Sequence, residues 1–175
     1  EYSGLLNRSL MVPFRKIAKR QMEFLTEDEF SALKKACKPD TALGRRDMLM
    51  LLLLYNTGVR VSELVGLKLS DIHIDSRDTA AYIRINGKGR KERHIPLWKS
   101  TTKYLADYMS DHARSETGRL FANYLDSNLT RSGVRYRLSC LKLKASEAIP
   151  SLAKKNITPH TFRHSTALRM LQSGV

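Results

Sequence analysis

The sequence predicts a mostly α-helical domain that carries one small three-stranded antiparallel β-sheet. Three observations predict it. Residues 45–56 are apolar nearly all round, the mark of a central buried helix. Between residues 71 and 96 the pattern changes to a period of two, with Asn86-Gly87-Lys88-Gly89 as a hairpin turn between two β-rich runs. From Lys99 onward helical spacing returns. The 175 residues are 42% hydrophobic, and a chain of this length buries roughly 70% of the surface it would expose unfolded. One real core, and so one domain, follows.

Taken in order, residues 1–24 read as a basic linker. Arg8, Arg15, Lys16, Lys19 and Arg20 outnumber Glu1 and Glu23, and Pro13 interrupts the segment. Such a stretch either lies along a phosphate backbone or is an ordinary solvated tail. The domain proper, residues 25–175, opens sharply at Thr26-Glu27-Asp28-Glu29, a capping box. Its helix carries Phe30, Leu33 and Lys34 toward Cys37, with Pro39 beyond the end. The buried helix at 45–56 is broken by Thr57-Gly58, and a short helix follows at 62–66. Strands are predicted at 71–75, 79–85 and 92–96, with Ser76-Arg77-Asp78 as the first turn. Two helices at 99–115 and 128–143 come next. The last helix starts at Thr158 as N-cap with Pro159 in its first position, and Gly174 marks its end.

Charge narrows the function. There are 31 Lys and Arg against 17 Asp and Glu, a net +14, and the sequence pI is about 10.0. A field of that sign attracts nucleic acid or an anionic membrane. The apolar run at 48–55 is too short to span a bilayer. Glu1-Tyr2-Ser3 does not open a signal peptide. Cys37 and Cys140 form neither a disulfide framework nor a metal-ligand spacing, so they read as reduced, packed thiols of a cytoplasmic protein. No P-loop and no H-E-x-x-H is present, and Asp71, Asp75 and Asp78 flank a strand and a turn rather than pair. No metal site is predicted. A phosphate reaction on this chain would have to use cationic side chains.

Such cations stand at suggestive places. Arg60, in Thr57-Gly58-Val59-Arg60, follows the buried helix directly. Its planar fork either grips two phosphate oxygens or pairs structurally with Glu63, which could equally hold the guanidinium for that grip. Lys88 occupies the hairpin tip between Gly87 and Gly89, either as a deliverable lysine or as an ordinary loop residue. His160 and Arg163 are three apart at the start of the last helix, on one face, where unpaired N–H groups and the helix dipole favour an anion. His164 is read as pointing elsewhere and packing.

The ordered set TGVRVSEL (57–64), GKGRKERHIPL (87–97) and ITPHTFRHSTALRMLQSGV (157–175) resembles the catalytic domain of tyrosine recombinases, the phage integrase family, from about Leu25 to the last residue. The resemblance implies a DNA breaking-rejoining fold and a site-specific recombinase that joins strands through a 3′-phosphotyrosine. It implies catalytic roles for Arg60, Lys88, His160 and Arg163. The two arginines would hold the non-bridging oxygens of the scissile phosphate, Lys88 would protonate the leaving 5′-oxygen, and His160 would bond the phosphate or take the nucleophile's proton. Glu63 matches the usual acidic residue behind the first arginine. Neither metal nor ATP is implied, and no cofactor.

The family's nucleophilic tyrosine comes some tens of residues after the H-x-x-R motif. Tyr82 in a strand, Tyr104 and Tyr108 in a helix, and Tyr124 and Tyr136 ahead of the motif do not match that position. The nucleophile is therefore expected after Val175, with this chain an incomplete catalytic domain that binds DNA without cutting it. Arg15, Lys16, Lys19, Arg20, Arg90 and Lys91 are expected on the DNA backbone. Duplex DNA is the expected partner. The resemblance implies a full-length tetramer on two duplexes, a bacterial or phage origin, and a monomer for these 175 residues. A non-catalytic DNA-binding relative and a type IB topoisomerase share the same residues and are the alternatives.

Overall fold

A computed structural model describes residues 23–75, 81–87, 91–111, 118–122 and 128–174. Helix α1, Glu27–Ala36, begins at the expected capping box: the Thr26 hydroxyl accepts from the Glu29 N–H, and the Glu29 carboxylate accepts from the Thr26 N–H. Helix α2, Ala42–Thr57, begins three residues earlier than predicted. The reason is a second cap, the Thr41 hydroxyl accepting from the Gly44 N–H. Leu49, Met50, Leu51, Leu53 and Leu54 on α2 are fully buried, as an all-round apolar helix requires. It ends at Gly58, whose φ of 57° is the left-handed conformation that glycine tolerates, and whose N–H donates to the Leu54 carbonyl.

Helix α3, Val61–Gly66, is followed by a 3₁₀ turn at Leu69–Asp71, which takes Asp71 out of the strand predicted at 71–75. Asp71 is drawn into that turn because its carboxylate accepts from the Lys68 N–H and from Arg84. Strands β1, Ile72–Ile74, β2, Ala81–Asn86, and β3, Glu92–Leu97, form one antiparallel sheet in that order. In register, Ile72 faces Ile83 and Ile83 faces Ile95, an apolar row on the inner side. Asn86 pairs with Glu92 rather than opening the turn, and the Gly87 N–H donates to the Lys91 carbonyl.

Helix α4 spans Lys99–Asp111. Helix α5, Arg131–Ala148, starts three residues after and ends five residues beyond the predicted span. Thr130, not Asn128, caps it, because the Thr130 hydroxyl accepts from the Gly133 N–H while Asn128 bridges back to Ala122. A short helix α6, Ser151–Lys154, went unpredicted. Helix α7, Pro159–Gln172, begins at Thr158 with Pro159 first, as read, and Ser173 and Gly174 end it.

Helix α2 is the centre. Helices α4 and α7 pack on it, and α1 packs on α5. Phe30 of α1 stacks on Tyr55 of α2 with ring centroids 3.8 Å apart, and meets Phe162 of α7 edge-on at 6.3 Å. Arg169 of α7 lies over Trp98, 4.3 Å from the ring centroid. Helix α7 is thereby fixed against the helix that ends at Gly58, and this places two of the sequence motifs side by side.

Candidate active site

The C-terminal end of α2 and the N-terminal end of α7 meet at Gly58. Thr166 of α7 donates from its hydroxyl to the Tyr55 carbonyl at 2.8 Å. A side chain at Gly58 would approach the Thr166 Cβ to 3.3 Å. Arg163 donates from Nη1 to the Gly58 carbonyl at 2.7 Å. One N–H of the guanidinium is thus anchored, and the remaining donors of the fork are left for other partners. The backbone leaving Gly58 turns outward, so that Val59 is buried and Arg60 stands on the surface.

Arg60 is the N-cap of α3. Its N–H donates to Glu63 Oε2 at 2.8 Å and its Nη1 to Glu63 Oε1 at 3.2 Å. Its side chain nevertheless remains 56% exposed. Glu63 also accepts from Arg93 Nη2 of β3 at 2.7 Å. Burial pushes the Glu63 carboxyl up, but the bonds from Arg93, the Arg60 N–H and the Arg60 guanidinium outweigh it and hold the group below its ordinary range. Glu63 is a carboxylate at neutral pH. Both sequence alternatives for Arg60 therefore meet in one residue, which is paired with Glu63 and open to a ligand.

Arg60, His160 and Arg163 line a single cleft of about 680 Å³. Its other wall is the start of α5, contributing Thr130, Arg131, Ser132 and Arg135. Among the described residues no carboxylate lines it. Five basic side chains and no carboxylate among the described lining residues make the cleft suited to an anion, and guanidinium forks suit a phosphate diester with two non-bridging oxygens. Arg131 and Arg135 stand one turn apart on one face of α5 and were not singled out in the sequence, because neither lies in the three motifs.

Other sequence-level candidates fall elsewhere. Lys88 and Arg90 at the hairpin, and Arg15, Lys16, Lys19 and Arg20 ahead of the domain, lie outside the described residues. Lys91 is exposed at the root of the hairpin and does not line the cleft. His164, read as packed, is exposed, because the inward arc of α7 is occupied by Phe162, Ser165 and Thr166. Cys37 is a buried free thiol as read, whereas Cys140 is only half-buried. No described tyrosine lines the cleft. Tyr82 is held between His73 and His94, with ring centroids 4.6 and 4.8 Å away. Tyr108 is buried and Tyr104 half-buried, and burial pushes both phenols up. Among the described residues no group of His, Cys, Asp and Glu could hold a metal ion, and no helix is long and apolar enough to cross a membrane.

Comparison with known proteins adds to this geometry. A family model described as the phage integrase family matches residues 23–175. A protein of Sinorhizobium fredii named as integrase/recombinase y4rC is 39% identical over 175 residues, all of this chain and 52% of that protein. Tyrosine recombinase XerD of Listeria innocua is 38% identical over 182 residues, 99% of this chain and 58% of that protein. Among solved structures, the XerA recombinase matches with a TM-score of 0.73 and 28% identity, over 90% of this chain and 54% of that one. The chain spans about half the length of the curated relatives it matches.

Proposed function

This chain belongs to the phage integrase family, and we propose that it is the phosphate-gripping part of a site-specific DNA recombinase. The observation that carries the reading is the cleft, without a carboxylate among its described lining residues, on which Arg60, His160 and Arg163 converge from two different sequence motifs. Arg60 and Arg163 bind the non-bridging oxygens of one backbone phosphate and stabilise the charge that builds on it as phosphorus becomes five-coordinate. His160 bonds the same phosphate or takes the proton of the attacking hydroxyl. Lys88, from the hairpin motif, protonates the leaving 5′-oxygen. A tyrosine oxygen attacks phosphorus, the P–O5′ bond breaks, and a 3′-phosphotyrosine results. Attack by a 5′-hydroxyl of another strand reverses these steps and joins the two.

None of the described tyrosines is assigned as the nucleophile, since none lines the cleft. The 175-residue chain by itself is therefore proposed to bind duplex DNA without cutting it, as a monomer. Arg131 and Arg135 on the opposite wall are assigned to phosphates beside the gripped one. The test is the affinity of this chain for duplex DNA against salt. With 6 to 10 phosphates contacted, affinity falls by roughly 10³ to 10⁵ between 50 and 200 mM salt. Arg60→Ala lowers the slope of log affinity against log salt by about 1 without unfolding the domain, since the side chain is half exposed. A salt-independent affinity, or an Arg60→Ala variant that merely unfolds, contradicts the reading.

A further inference from the structure

Arg93 is tied to the site through Glu63 without lining the cleft. It sits on β3, opposite Ile85, and reaches across to Glu63 with a 2.7 Å bond, shorter than the 3.2 Å bond from the Arg60 guanidinium to the same carboxylate. Its other end lies against the hairpin root: a side chain at Gly87 would meet Arg93 Nη1 at 3.3 Å. Two guanidiniums thus share one carboxylate, and one net positive charge is left over.

We propose that Arg93 is a positioning residue that takes up the Glu63 carboxylate so that the positive charge of Arg60 stays available in the cleft. The inference rests on the reading of Arg60 as a phosphate grip. The physical reason is charge balance. Without Arg93, Arg60 and Glu63 form a neutral pair three residues apart on one short helix. A guanidinium closed on its own carboxylate offers little to a phosphate, because the two anions compete for the same fork. With Arg93 in place, Glu63 has a second partner that approaches from the sheet. It can fix the backbone N–H of Arg60 while the guanidinium turns to the cleft. Arg93 does this from the strand that leaves the hairpin, so the sheet and the first arginine motif are held in one arrangement.

The test is a set of binding isotherms for the 175-residue chain on a short duplex of arbitrary sequence at several salt concentrations. Arg93→Gln is expected to weaken binding about five- to tenfold at 0.1 M salt and to lower the salt slope by about 1. Arg93→Lys keeps the charge and most of the affinity. The double variant Glu63→Gln with Arg93→Gln restores binding, because no carboxylate is left to neutralise Arg60. An unchanged affinity in Arg93→Gln overturns the inference. So does a loss that persists in the double variant, which would mean that Arg93 touches DNA itself or only supports the fold. Arg93→Met, which keeps the aliphatic stem, serves if the glutamine variant does not fold. Arg60→Ala is measured alongside. If it leaves affinity and slope unchanged, the phosphate-grip reading fails. The Glu63 link is then judged on the Arg60 Nε–H NMR signal of DNA-free protein. That signal shifts in Arg93→Gln if Glu63 turns its charge to Arg60, and an unmoved signal overturns the inference.

Discussion

Arg60 combines two states that are usually alternatives, a closed ion pair and an open guanidinium. It is ion-paired to Glu63 and still 56% exposed on the cleft wall, which is possible because Arg93 shares the carboxylate. The sequence made Arg60, Glu63, His160 and Arg163 legible through motif spacing, since residues three apart on a helix share a face. Arg93 was not legible, because a strand residue bonding to a helix 30 positions earlier leaves no local pattern. His164 was misread for the converse reason: adjacency to a motif says nothing of which arc of a helix faces the core. The two thiols give a prediction at this scale. Burial, with Asp47 nearby, pushes the Cys37 thiol up to about 12, so that it is not a thiolate at neutral pH. In native protein at pH 8, iodoacetamide should label Cys140 and leave Cys37 unmodified until denaturant is added. Rapid labelling of Cys37 in the native state would show that α1 and α2 are not packed as described.

Among the elements, α7 bears the site and its attachments are buried. Ser165 accepts from the Leu25 N–H at 2.8 Å, and Glu29 of α1 accepts from Lys155 at 2.6 Å and from Ser151 at 2.7 Å. This network ties the entry of the domain to the turn that leads into α7. Burial alone would push the Glu29 carboxyl up. The bonds from Lys155, the Thr26 N–H and Ser151 more than offset it and bring the group below its ordinary 4.5. A carboxyl lowered in the folded state stabilises the fold above its unfolded value and ceases to as pH falls through the folded one. Replacing Lys155 by Ala should cost about 2 kcal/mol at pH 7, read from urea unfolding. The difference in stability between wild type and Glu29→Gln should shrink as pH drops from 7 to 3. A difference that stays constant or grows would exclude Glu29 as an ionised anchor. Capping signals made α1 and α7 legible nearly to the residue. The start of α5 was misplaced by three residues because Asn128 bridges back to Ala122 instead of entering the helix, and Thr130 caps it.

For the molecule as a whole, the net charge is +14, and five basic side chains line the cleft where the ends of distant segments meet. Composition pointed to an anionic partner, nucleic acid or membrane, and periodicity pointed to the sheet and to every helix but α6 among the described residues. The second wall of the cleft was hidden, because it depends on α5 packing on α3 and facing the start of α7 across the cleft, and tertiary placement has no period. The proposed function puts the DNA backbone in this cleft rather than on basic surface in general. The measurement to make is an NMR titration of the isotopically labelled chain with short duplex DNA at moderate salt. Signals of Arg60, Ser62, Arg131, Arg135, His160 and Arg163 are expected to shift first and together, while those of α4 stay in place. Shifts spread evenly over the basic surface, or centred on α4 with the cleft signals unmoved, would contradict it.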